Sequence, residues 1–79
     1  MLMNTSGALS CLKEGQRARV LTILEEGSMR RRLQDIGLIE GTLVECVQKS
    51  PAGDPVAYSV RGAVVALRAE QSAAVIVQL

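Results

Sequence analysis

Hydrophobic and polar residues alternate with a period of two along most of the chain, a pattern typical of β-strands that bury one face. The clearest run covers 56–60, where Val56, Tyr58 and Val60 share one face. Comparable runs predict four further strands, at 16–24, 42–49, 63–67 and 74–79. Val20 and Ile23 are three residues apart, so they can share a face only if a bulge interrupts the first strand.

A helical pattern interrupts the strands once, between the first and the second. Met29, Leu33 and Ile36 recur at i, i+4 and i+7 and form one apolar face over two turns. The pattern predicts a short helix over about 28–36, with Ser28 as the N-cap. Gly37 stands where a left-handed residue ends a helix.

Three consecutive arginines, Arg30–Arg32, lie in the first turn of this predicted helix. Positive charge at the positive end of the helix dipole costs roughly 0.3–1 kcal/mol for each exposed residue. Glu25 and Glu26 precede the helix and offset part of that cost. A local rule broken within a consistent element marks a place to look for function.

Two interpretations of the arginines remain open. They form a docking surface for acidic groups of a partner, since guanidinium binds carboxylate with two hydrogen bonds. Alternatively they pair within the chain, Arg31 with Asp35 and Arg30 with Glu26. Within the cluster we expect Arg32 to brace the fold and Arg30 and Arg31 to face a partner. Nucleic acid is disfavoured, because the net charge is only +1 and no aromatic residues accompany the arginines.

Composition narrows the class of protein. Seventy-nine residues make one small domain, and its core must be aliphatic because it contains no Trp, no Phe and a single Tyr. Without an aromatic-lined groove, recognition of proline-rich peptides is excluded. We expect a cytoplasmic location, because neither a signal peptide nor a long apolar span is visible.

Candidate chemistry is sparse. The chain has no His, and its two cysteines, Cys11 and Cys46, lack the spacing of a metal site. We expect Cys46 to be a buried small hydrophobe and Cys11 to be partly exposed. No nucleophile–base pair or phosphate-binding loop is present, so the sequence predicts no catalytic, cofactor-binding or metal-binding residues.

Turn signals complete the architecture. Dense turn residues fill 50–55, and Arg61-Gly62 predicts a two-residue hairpin in which Gly62 has a positive φ. Five short strands and one short helix predict a mainly β fold, a partly open antiparallel barrel in which the last strand pairs with the first. Residues 1–8 are expected to be a flexible N-terminus, and 9–79 the folded domain.

Several short motifs occur in order along the chain: Leu9-x-x-Leu12-Lys13-x-Gly15, Arg32-Leu33-x-Asp35-x-Gly37-Leu38-x-x-Gly41, Gly53-Asp54-Pro55, Val60-Arg61-Gly62 and Ala66-Leu67-Arg68. The ordered set resembles ferrous iron transport protein A (FeoA) over roughly 9–79. This resemblance implies an SH3-like barrel without enzymatic activity that supports the membrane ferrous iron transporter FeoB. The domain is also similar to the C-terminal domain of diphtheria-toxin-repressor-type regulators. Weak transition-metal binding, or a metal-sensing regulatory module, is the alternative that this second similarity implies.

The resemblance divides the candidate residues into two groups. The structural motif comprises Arg32, Leu33, Asp35, Gly37, Gly41, Gly53, Asp54, Pro55, Arg61 and Gly62. The expected contact with the cytoplasmic region of FeoB comprises Arg30, Arg31, Leu38 and Ile39, the last two held exposed in a loop between glycines. Weak self-association through an exposed strand edge is a further possibility.

Overall fold

Six β-strands and two α-helices form the domain in the computed structural model, which describes residues 5–79. The strands are β1 (Ser6–Ala8), β2 (Arg17–Ile23), β3 (Leu43–Lys49), β4 (Val56–Val60), β5 (Ala63–Leu67) and β6 (Val75–Gln78). The helices are α1 (Gly27–Ile36) and α2 (Ala69–Ala73), and a short 3₁₀ helix spans Leu9–Cys11. Within 5–79, no helix has the length and apolar character needed to cross a membrane.

The strands form one antiparallel sheet in the order β1-β6-β2-β3-β4-β5. The predicted pairing of the last strand with the run at 16–24 is confirmed, because β6 lies against β2. The predicted bulge is also present: the register shifts between Val20 and Thr22. The shift gives Leu21 no partner and turns both Val20 and Ile23 into the core, where they are 1% and 5% exposed.

The sheet has one strand more than the five that the pattern predicts. Ser6–Ala8 pair with Gln78–Ile76, and the amide of Leu79 donates to the Thr5 carbonyl at 2.7 Å. The expectation of a flexible segment over 1–8 is therefore wrong for these residues, since the outer edge of β6 offers them backbone hydrogen bonds. The remainder of that prediction, 1–4, lies outside the described residues.

The core is aliphatic, as the composition predicts, and it fills the concave side of the sheet. Its fully buried side chains include Leu9 and Leu12 around the 3₁₀ helix, Leu33 of α1, and Tyr58, the sole aromatic residue. Cys46 is also buried, which confirms the prediction that it acts as a small hydrophobe.

The two ends of α1 differ in how well the sequence predicts them. Glu26 occupies the N-cap position, and neither it nor Ser28 makes a capping hydrogen bond, so the prediction for Ser28 is wrong. At the C-terminus Gly37 is left-handed with φ 117°. The amides of Gly37 and Leu38 donate to the carbonyls of Gln34 and Leu33 at 2.9 and 3.1 Å, so the predicted glycine end is confirmed.

Candidate partner-binding surface

The three arginines of α1 point in three different directions, because successive residues of a helix are rotated by about 100°. Nη1 of Arg30 donates to the Ile23 carbonyl of β2 at 2.9 Å, and the side chain is partly buried. Arg32 is exposed and borders a cavity between the helices, opposite Gln71. Arg31 is exposed and borders none of the detected cavities. The sequence cluster is therefore not a single charged patch.

Arg30, not Arg32, is the arginine that braces the helix. Its hydrogen bond satisfies the Ile23 carbonyl beyond the end of β3 pairing, whereas no hydrogen bond or ion pair involves Arg32 among residues 5–79. The expectation that Arg32 braces the fold is wrong, and so is the expected internal pairing. Within the described residues, neither Arg31–Asp35 nor Arg30–Glu26 comes within the 4.0 Å of an ion pair.

A groove of about 230 Å³ lies between α1, the end of β2 and the loop after the helix. We call it the α1–β2 groove; the residues lining it include Leu21, Ile23, Arg30, Gln34, Ile39 and Glu40. It exists because β3 pairs only with Arg17–Arg19 of β2, which leaves the rest of that strand open on this side. Helix α1 covers the opening incompletely.

The rim of this groove is apolar. Ile39 and Leu21 remain 44% and 37% exposed, whereas Leu38 is fully buried. The expectation that Leu38 faces a partner is wrong, since it is the residue after the left-handed glycine and belongs to the same buried cluster as Leu33. The predicted contact also misses Leu21, whose exposure follows from the bulge in β2.

The loop that carries Ile39 is held by its own backbone and by β2. The Ile39 carbonyl accepts from the Thr42 amide at 3.0 Å. Gly41, at φ 89°, donates its amide to the Val20 carbonyl at 2.8 Å and accepts from Nη1 of Arg19 at 2.9 Å. Ile39 is thus an exposed apolar side chain on a fixed backbone, which lowers the entropy lost when a partner binds.

The remaining motif residues shape turns and helix ends. Arg61 and Gly62 have φ values of 52° and 86°, and they form the predicted two-residue hairpin between β4 and β5. Gly53 has φ 87° in the turn before Pro55, which is partly buried. Asp54 accepts from the first amide of α2 at 2.8 Å. Asp35 is exposed and Leu33 is buried, so only the second of this pair contributes to the core.

Titratable groups with perturbed pKa values lie in the core. Burial raises the pKa of the Cys46 thiol, and burial likewise raises the pKa of the Tyr58 hydroxyl. That hydroxyl has no hydrogen bond of good geometry within 5–79, although Ser72 lies close enough to oppose the pKa shift. Cys11 is exposed. No group of three or more Cys, Asp or Glu residues placed to hold a metal ion occurs in the described part of the chain.

The open antiparallel sheet, the short helices and an apolar-rimmed groove define a small β domain with a binding surface. The FeoA domain model matches residues 8–79. The chain therefore belongs to the FeoA family.

Known proteins agree with this assignment. The Fe(2+) transport protein A/Fe(2+) transporter FeoB fusion protein of Porphyromonas gingivalis is 34% identical over 71 residues, 90% of this chain and 8% of that protein. The chain thus spans less than a tenth of this relative. The FeoA structure from Chlorobium tepidum has a TM-score of 0.84 and 33% identity, covering 91% of this chain and 69% of that one.

Two further structures bear on the fold. Stenotrophomonas maltophilia FeoA, solved with zinc and described as a procaryotic SH3 domain protein, has a TM-score of 0.78 and 29% identity. That match covers 96% of this chain and 89% of the other, so the predicted SH3-like fold is confirmed. A manganese-dependent transcriptional repressor has a TM-score of 0.85 at 17% identity, covering 98% of this chain and 43% of the repressor. At that identity the likeness shows the fold alone.

Proposed function

We propose that this protein is a non-enzymatic, cytoplasmic accessory of ferrous iron transport that binds the cytoplasmic region of FeoB and modulates it. One observation carries the proposal: a relative joins the FeoA and FeoB parts in one protein. Covalent linkage keeps two modules at a millimolar effective concentration. A separate FeoA chain must supply affinity through its own surface instead.

The surface that suits this task is Arg31 together with the rim of the α1–β2 groove. Arg31 is exposed and without an ion-pair partner among residues 5–79, so its guanidinium is available for a carboxylate of FeoB. Ile39 and Leu21 add apolar area on a fixed backbone. The matching patch on FeoB would combine an acidic residue with an apolar side chain that enters the groove.

The chemistry of the described residues supports a binding role. The groups whose pKa departs from its ordinary value, Cys46 and Tyr58, are buried in the core and face no groove. The whole chain lacks His, the commonest general base and iron ligand among side chains. We therefore propose that iron is the cargo of the transporter and not a resident ligand of this chain.

The experiment is a titration of the protein against its cognate FeoB in lipid nanodiscs. The decisive variant is Arg31→Glu, matched by Arg32→Glu, which reverses a neighbouring exposed arginine on another face of α1. Reversal of Arg30 is unsuitable because it would also remove the bond to Ile23. A second matched pair is Ile39→Ser and Val47→Ser, residues that are 44% and 41% exposed.

We expect saturable binding that Arg31→Glu and Ile39→Ser weaken about tenfold or more, a loss of at least about 1.4 kcal/mol. The two control variants should bind as the unmodified protein does. Absence of binding by the folded protein would overturn the proposal, and equal losses in the controls would overturn the surface. A tight, stoichiometric ferrous site in anoxic calorimetry would favour the metal-sensing alternative.

A further inference from the structure

Strand β5 is an edge strand with open backbone groups. It pairs with β4 on one side and ends the strand order. The two-residue turn makes Val60 and Ala63 a hydrogen-bonded pair, so the alternation of an antiparallel ladder directs the amides and carbonyls of Val64 and Ala66 outward. Within 5–79, no hydrogen bond to these four groups is formed from another element.

This edge lacks the features that normally protect one. Its register with β4 is regular over five residue pairs, with no bulge. The strand contains neither a charged residue nor a proline, and Val64 is 66% exposed. Natural edges are usually shortened, bulged or charged to prevent pairing with another strand. An unprotected edge of this length is suited to accept an added strand.

The two ends of the edge are positively charged. Arg61 precedes β5, is exposed, and has no ion-pair partner among the described residues. Arg68 follows β5 and is offset in part by Asp54, with a distance of 3.8 Å between Nη1 and Oδ2. Both side chains of that ion pair are largely exposed, at 63% and 41%, so the Arg68 charge remains available to a ligand.

An apolar depression lies beside the edge on the outward face of the sheet. Its volume is about 250 Å³, and its lining includes the cross-strand pair Ala57 and Ala66 with Pro51 and Pro55. A strand added to β5 would place alternate side chains on this face. The residue opposite Ala66 would therefore meet a recess that fits a small branched side chain.

We propose that the β5 edge binds an extended peptide segment of a partner protein whose β-branched residues are flanked by carboxylates. Backbone hydrogen bonds to Val64 and Ala66 provide the pairing, and Arg61 and Arg68 select acidic ends. A second copy of the chain fits less well, because antiparallel pairing of two β5 strands brings Arg61 of each near Arg68 of the other. This inference is independent of the α1–β2 groove and of FeoB.

The test uses an end-blocked peptide, Glu-Thr-Val-Thr-Val-Thr-Glu, added to ¹⁵N-labelled protein up to about 5 mM, since strand addition by a short peptide is weak. We expect chemical-shift changes centred on the amides of Val64 and Ala66, together with slower hydrogen exchange there. The same peptide with Lys in place of Glu should bind at least about fivefold more weakly, since each exposed ion pair is modest. Methylation of the valine amides should abolish binding.

Two protein variants separate the backbone and charge contributions. Ala66→Pro removes one outward amide, and proline is tolerated on an edge strand; Ala66→Ser retains the amide and is its control. Arg61→Asp should reduce the preference for the glutamate peptide, and Arg61→Asn should fall between it and the unmodified protein. Both replacements accept the left-handed conformation of Arg61, which keeps the hairpin intact.

Each remaining outcome counts against the proposal. Failure of the glutamate peptide to perturb Val64 and Ala66, equal binding of the lysine peptide, or binding unaffected by Ala66→Pro would each overturn it. A dimer detected by sedimentation and abolished by Ala66→Pro would also overturn it, because the occupant would then be a second copy.

Discussion

Substitution of Gly37 by alanine tests how α1 is fixed to the β4–β5 hairpin. Gly37 ends the helix at φ 117°, a conformation that L-residues rarely adopt. A Cβ at this position would lie 2.9 Å from Cδ of Arg61 and 3.3 Å from Cγ1 of Val60. The variant therefore combines backbone strain with overpacking against the hairpin.

The expected cost is the sum of these two contributions. A non-glycine residue in the left-handed region costs about 1–2 kcal/mol. Overpacking costs typically 1–3 kcal/mol, and the lower value applies because the Arg61 side chain can move away. The total of about 2–3 kcal/mol should lower the midpoint of thermal unfolding by roughly 10 °C or more in a domain of this size.

Gly41→Ala is the matched control for strain alone. Gly41 also has a positive φ, 89°, but a Cβ there would meet nothing within 4 Å. Its cost should stay near the strain value of about 1–2 kcal/mol. In urea denaturation, Gly37→Ala combined with Arg61→Ala should be less destabilising than the two single changes added together, by about 0.5–1 kcal/mol. An additive cycle, or equal costs for Gly37→Ala and Gly41→Ala, would refute the packing argument.

Three further predictions use the same denaturation assay. Asp54→Ala should cost about 1 kcal/mol, because it leaves the first amide of α2 without its acceptor. Arg30→Ala should cost about 1 kcal/mol through its lost hydrogen bond, whereas Arg32→Ala should change the stability by less than about 0.5 kcal/mol. Burial raises the pKa values of Cys46 and Tyr58. The unfolded chain therefore loses these protons first, and the free energy of unfolding should fall as pH rises above about 9. Tyr58→Phe should reduce that alkaline loss at little cost near neutrality, since its hydroxyl lacks a well-formed hydrogen bond within 5–79; a large loss near pH 7 would contradict this.

The sequence alone determined the features that depend on neighbouring residues. Strict alternation placed β3 to β6 within one or two residues, and the spacing of Val20 and Ile23 implied the bulge of β2. Gly37 and Gly62 identified a helix end and a hairpin because few other residues adopt a positive φ easily. These inferences succeeded because local backbone preferences and side-chain periodicity are properties of short segments.

Only the tertiary structure decided where each candidate side chain points. Helix rotation separated the adjacent arginines and placed Arg30 against β2, and packing against Leu33 buried Leu38. The short strand Ser6–Ala8 exists because β6 offers it an open edge, and its composition gives no local sign of that edge. Neighbours distant in sequence settle such questions. The groove rim of Ile39 and Leu21 and the open edge of β5 could therefore be located only once the sheet was assembled.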